Sequence, residues 1–401
     1  MLFANRYHHI VDRLRPNSPV PLRLKLWDGH HFDFSHQPTV TVAIPKPSAL
    51  KYFISPTLGK LGEAFVEGHI RVEGSIHEIF RVADGLARTA VVKTNSGFSW
   101  LKRHTPKTDR KAIEYHYDVS NDFYRLFLDR NMVYSCAYFR DAADSLETAQ
   151  EQKLDHILSK LLVKPGERLL DIGCGWGALV MRAAKKYGAD ATGITLSKNQ
   201  YEYACERIRA EGLQDRCRVE LRDYRDLPDD AAFDKISSVG MFEHVGLRNL
   251  PVYFQKIRNL LKPNGLVLNH GITSSGVDKL EAGPDTGSFI DRYVFPDGEL
   301  PHISLVMREM AAAGLEVADV ESLRRHYART CHEWASRLEA RQQEAANLID
   351  EKKLRIWQIY LAGSAFGFAK GWMNLYQILA GRASDHEAQS LPLTREYMYG
   401  A

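Results

Sequence analysis

Three observations predict an α/β fold with a mostly parallel sheet and a second, smaller α+β domain in front of it. From Leu169 onward, short apolar runs alternate with stretches of helical period. A glycine cluster follows the first of those runs directly. The first hundred residues have a different texture, rich in Pro, His and short β-like runs. Alternation of strands and helices puts helices on both faces of a parallel sheet, and a glycine turn at a strand's carboxyl end is where such sheets bind ligands. The expected boundaries are a small domain at 1–100 and a catalytic domain at 110–401.

PLRLKLWDG, HHFDF and TVTVAI suggest a small sheet with turns at Asp28-Gly29 and near Pro45 and Pro47. Residues 58–90 read as helices broken by glycines, and the polar stretch 93–110 reads as a linker. LLDIGC, DATGITL, CRVELRD, FDKISSVG and GLVLNHG are the sheet strands, separated by helical stretches such as ALVMRAAKKYG and NQYEYACERIRAEG. Residues 300–380 read as a mostly helical cap. Within them RIWQIYLAGSAFGFAKGWMNLYQILAG reads as one apolar helix with Gly363, Gly367 and Gly371 in a stripe that lets another backbone or an acyl chain approach closely, a core helix packed on the sheet being the plain alternative.

With 26% charged residues and 44% hydrophobic ones over 401, collagen-like, mostly disordered and coiled-coil classes are excluded. Residues 1–110 hold 16 Lys+Arg against 9 Asp+Glu, or +7, and the other 291 hold 37 against 41, or −4. Such an excess suits an anionic membrane surface, whereas no interleaved aromatic-basic motif supports a nucleic-acid partner. The chain has no run of about 18 apolar residues and no leader-like start, and its five cysteines form no disulfide pattern. The expectation is a cytosolic protein with reduced thiols. His8-His9 and His30-His31 lack cysteine partners and read as solvated turns.

LLDIGCGWG at 169–177 carries the strongest local signal. Asp171 ends a strand, and Gly173, Gly175 and Gly177 follow. The spacing differs from the G-x-G-x-x-G of nicotinamide sites, and the next strand ends in Gly193-Ile194-Thr195 without an acid for a ribose. The motif resembles the S-adenosylmethionine site of Rossmann-like methyltransferases. Later strand ends add Thr195, Ser197, Gln200, Asp223, Tyr224 and Arg225 around the same point, with Asp223 as an acceptor for an adenine amino group.

IEYHYDVSNDFYRLFLDRNMVYSCAYF (113–139), LLDIGCGWG, GITLSKNQ, RDYRDL and SSVGMFEHVG in that order resemble the cyclopropane-fatty-acyl-phospholipid synthases and mycolic acid cyclopropane synthases. GEAFVEGHIRVEG resembles the accessory domain of the phospholipid enzymes. The resemblance implies a Rossmann-like class I methyltransferase with a helical cap, acting on the cis double bond of unsaturated phospholipids at the inner membrane face. It adds Tyr134, Ser135 and Leu196 to the cofactor set. It also implies a carbocation on the lipid, from which a bound bicarbonate removes a proton so that the ring closes. Cys136, Glu243, His270 and Tyr327, with the backbone at Ile272, are the implied catalytic and bicarbonate-holding positions. Each has a plain structural alternative: a buried small hydrophobe, a salt-bridged carboxylate, a core histidine, a packed aromatic. Zinc on Cys, Glu and His lacks paired ligand spacing, so no metal is expected. A sister reaction giving a methyl or methylene branch, or a lipid-binding relative without catalysis, are the alternatives, and a homodimer is compatible with the reading. Ser364 stands in YLAGSAFGF where the family usually has cysteine, which argues against a covalent role there.

Overall fold

The computed structural model describes residues 20–54, 56–87, 119–230, 232–277, 299–382 and 391–399. Strands β1 (Leu22–Lys25), β2 (His31–Asp33), β3 (Val40–Ala43) and β4 (Arg71–Glu73) form a sheet in the order β2-β1-β3-β4. The β1–β2 turn lies at Asp28-Gly29 as expected. Gly29 adopts φ +90°, and the Asp28 carboxylate accepts from the His30 N–H at 3.0 Å. Leu22, Leu24, Val40 and Val42 alternate inward, as a half-buried sheet requires. Helices α1 (Leu58–Val66) and α2 (Ile76–Ala87) cover that face with Leu61, Val82 and Leu86. Residues 71–73 correct the helical reading of 58–90: β4 lies between Gly68 and Gly74, both at positive φ, and pairs antiparallel with β3. The expected linker at 93–110 and His8-His9 lie outside the described residues.

The second sheet contains β5 (Arg168–Ile172), β6 (Asp190–Thr195), β7 (Cys217–Leu221), β8 (Phe233–Val239), β9 (Leu261–Ser274), β10 (Leu315–Ser322) and β11 (Met373–Arg382). Their order is β10-β11-β9-β8-β5-β6-β7, with β11 antiparallel to both neighbours and the other pairs parallel. Helices α3 (Leu146–Lys160), α4 (Ala178–Tyr187), α5 (Lys198–Ala210), α6 (Leu250–Leu260) and α7 (Ile303–Ala312) pack about it, and α8 (Arg324–Ala340) and α9 (Glu351–Lys370) form the cap.

The cap is smaller than expected, because residues 300–380 also contain β10 and nearly all of β11. The apolar tract from Arg355 to Gly381 is not one helix. Gly371, at φ +73°, is the residue after α9, a left-handed cap that ends the helix, and the chain then turns back as a strand. The glycine stripe therefore opens no path. A side chain at Gly363 would meet the Phe80 ring at 3.0 Å, and one at Gly367 would meet Met373 at 3.0 Å. No helix among the described residues is long and apolar enough to cross a membrane.

The small sheet's helices rest on the cap. The Ile76 N–H donates to Glu339 at 2.9 Å, His77 stacks on His332 with centroids 3.7 Å apart, and Lys352 pairs with Glu67 at 3.0 Å.

Candidate active site

The glycine turn after β5 opens a pocket at the carboxyl ends of β5, β6 and β8. Gly173, Gly175 and Gly177 take φ of +79°, +54° and +83°, a region that side chains with a Cβ avoid. Around Gly175 a Cβ would meet nothing within 4 Å, so the backbone there faces open space. Asp171 is buried and accepts from the Ser237 hydroxyl at 2.7 Å, and burial lifts its pKa to about 6. Tyr134, Ser135, Asp171, Gly173, Gly175, Thr195, Leu196, Gln200, Asp223, Tyr224 and Arg225 all line this pocket. Thr195 donates to the Gln200 amide oxygen at 2.9 Å, which fixes the amide's orientation.

Two expected residues stand outside that lining and work indirectly. Gly177 packs against Ala204, which a Cβ would approach to 3.1 Å, and starts α4. Ser197 caps α5, its hydroxyl accepting from the Gln200 N–H. Asp223 is engaged by Arg225, whose guanidinium donates to its two oxygens at 2.9 and 2.7 Å.

None of the four implied catalytic side chains lines this pocket. Glu243, on the turn after β8, accepts from the Ile272 N–H at 2.7 Å. Its Oε2 is buried with no partner among the described residues, and burial pushes its pKa up to about 7. His270, on β9, is buried with its Nδ1 3.2 Å from the Gln377 amide and its Nε2 without a partner among the described residues. Burial depresses its pKa, so the ring is neutral. Cys136 follows the pocket residue Ser135 and is fully buried, which raises its thiol far out of reach of ionisation. Tyr327, on α8, is also raised, by burial first and then by nearby groups that include Cys136 and Glu243.

A group of packed aromatic rings borders the pocket. Tyr124 meets Trp176 at 4.9 Å, Tyr134 meets Trp334 at 5.1 Å, and Tyr327 meets Phe368 at 4.6 Å. Tyr134 and Trp176 belong both to this aromatic group and to the pocket wall.

The sequence model of the mycolic acid cyclopropane synthetase family matches residues 104–378. The chain belongs to that family. A domain of unknown function matches residues 9–94 of this family member. A probable fatty acid methyltransferase of Pseudomonas putida is 50% identical over 380 residues, 95% of this chain and 96% of that protein. The cyclopropane-fatty-acyl-phospholipid synthase of Escherichia coli K12 is 40% identical over 271 residues, 68% of each chain. Among solved structures, a mycolic acid cyclopropane synthase complexed with SAH and CTAB superposes with a TM-score of 0.64 at 36% identity, covering 70% of this chain and 99% of that one. This cyclopropane synthetase relative thus has the fold of class I S-adenosylmethionine-dependent methyltransferases.

Sequence reasoning missed several wall residues of this family member's pocket. Lys153, Arg222, Met241 and His244 line it. His244 was within sight, one residue beyond Glu243. Lys153 carried no signal, since a lysine on a charged helix reads as solvated. No group of three metal-ligating side chains is found among the described residues.

Proposed function

We propose that this chain methylates the cis double bond of unsaturated phospholipid acyl chains, and that loss of one proton then closes a cyclopropane ring. The supporting observation is that Glu243 Oε2 and His270 Nε2 are both buried without a partner among the described residues, in a protein whose pocket wall carries the rings of Tyr134 and Trp176. S-adenosylmethionine, when bound, supplies the electrophilic methyl group. Asp171, Gly173, Gly175, Thr195, Leu196, Gln200, Asp223, Tyr224 and Arg225 would hold it, together with Tyr134 and Ser135. An alkene has no acidic hydrogen, so these residues have no proton to remove before transfer. Their work is orientation and exclusion of water. The aromatic faces favour a chain carbon that becomes cationic.

The proton lost afterwards needs an acceptor close by. Cys136, Glu243, His270, Tyr327 and the Ile272 N–H would hold a bicarbonate for that purpose. With burial raising its pKa to about 7, the Glu243 carboxyl can hold a proton near neutral pH and offer it to an oxyanion. The Gln377 amide beside Nδ1 leaves the neutral His270 ring with its N–H at Nε2, a second donor. No enzyme-bound covalent intermediate enters this route, so Ser364 is compatible with turnover. Residues 1–100 would serve as an accessory membrane-associating domain, docking the protein on the inner membrane face through their basic excess.

The similarity to a probable fatty acid methyltransferase favours a second reading, in which the carbocation loses its proton elsewhere and leaves a branch. Mass spectrometry of lipids from cells expressing the chain decides. A gain of one CH2 per unsaturated chain with loss of the double bond supports the ring. The same gain with a double bond retained supports the branch. Unaltered lipids refute both.

A further inference from the structure

Lys153 on α3 is a buried cation that none of the chemistry above uses. It is 2% exposed and lies in the wall of the cofactor pocket. Its Nζ donates to Ser135 Oγ at 2.8 Å. Three residues earlier on the same helix face, the fully buried Gln150 donates its amide to Ser135 O at 2.9 Å and Val133 O at 3.3 Å. The segment 133–135 is in no helix or strand, so these side chains hold both its backbone and its hydroxyl in place.

The direction of the Lys153–Ser135 hydrogen bond has a consequence. An ammonium group has only protons to give, so the Ser135 oxygen accepts and its own hydroxyl proton is left to point elsewhere. No acceptor for that proton is found among the described residues, and Ser135 borders the pocket. Burial lowers the Lys153 pKa to about 8, while the Asp129 and Asp171 carboxylates favour its charge, so the ammonium persists at neutral pH.

We propose that Lys153 is the positioning residue through which the pocket recognises the amino-acid end of its cofactor. It fixes the Ser135 hydroxyl as a donor toward the cofactor carboxylate and sets a positive charge behind that contact. The adenosine end is left to the separate set on β6 and the turn after β7. The inference rests on the cofactor assignment above and is independent of the lipid product.

The test compares two probes on the full-length chain by calorimetry. S-adenosylhomocysteine carries the amino-acid end, whereas 5′-methylthioadenosine keeps the adenosine and thioether and lacks it. Lys153→Met preserves length and removes the charge. It should weaken S-adenosylhomocysteine roughly tenfold to a hundredfold, as expected for a lost hydrogen bond to a charged group, and 5′-methylthioadenosine less than about twofold. Equal weakening of both probes would make Lys153 a merely structural residue, and no weakening of either would overturn the proposal outright. Should Lys153→Met not fold, Ser135→Ala removes the donor and keeps the ammonium; the same asymmetry is expected, and its absence refutes the idea. A wild type that binds neither probe would instead refute the cofactor assignment.

Discussion

Replacing Glu243 with glutamine should change the pH dependence of stability in a way that the geometry fixes in advance. The Glu243 Oε1 accepts from Ile272 N–H, and its buried Oε2 has no partner among the described residues, so ionising the group in place is costly. Burial moves its pKa from 4.5 to about 7. At about 1.4 kcal/mol per pH unit, that shift amounts to about 3 kcal/mol against the ionised folded state. Below pH 4.5 the carboxyl is protonated in both folded and unfolded chains and imposes no such cost. Between 4.5 and 7 the unfolded chain ionises first, and stability falls as pH rises. Above 7 both states are ionised and the loss is complete. Glutamine keeps the acceptor for Ile272 and cannot ionise. The difference in unfolding free energy between Glu243→Gln and wild type should therefore shift toward the variant by about 3 kcal/mol from pH 4.5 to pH 8. Urea unfolding of both proteins at the two pH values measures it, and taking the difference removes every other titrating group. Turnover should meanwhile fall by roughly a hundredfold, as for loss of a positioned acid or base. A stability difference that stays constant between the two pH values would refute the raised pKa, and full activity would refute the role.

Gly271→Ala should destabilise the fold by about 2–3 kcal/mol, because its Cβ would lie 1.8 Å from the Phe242 ring; chemical denaturation should show Phe242→Leu restoring much of the loss in the double variant. Lys25 and Lys46 are exposed in the basic first quarter, so changing each to glutamine should weaken binding to anionic vesicles about fivefold per charge. A sedimentation assay in which binding ignores both substitutions and added salt would remove that quarter as the membrane anchor.

The parallel half of the large sheet was legible because each strand is a short apolar run that ends at a polar residue or glycine, with amphipathic stretches between. β11 was not. It follows α9 after only Gly371 and Trp372, with no proline between, and its second half is buried on both faces, so no sustained alternation marks it. The signal was Gly371, a helix stop that looked like one more member of a stripe. β4 spans three residues, too few for a period to appear. In the site, Asp171, Gly173 and Gly175 could be read because backbone conformation demands those residue types. Gln150, Lys153 and Gln377 could not, since a buried polar side chain is defined by what faces it in space. On α3, Lys153 sits in LETAQEQKLDHILSK among charges that look solvated, yet it and Lys160 are both buried.

The helix α9 is shared property. At Gly363 it is gripped by Phe80 from the small sheet's side, and five residues on, Phe368 lies against Tyr327 of the candidate site. One residue inserted between those two points would turn one contact about 100° away from the other. The count from 363 to 368 is fixed as firmly as a gear ratio. Those two contact points must therefore be inherited together, and a chimera that joins one relative's front unit to another's cap will work only where the count agrees.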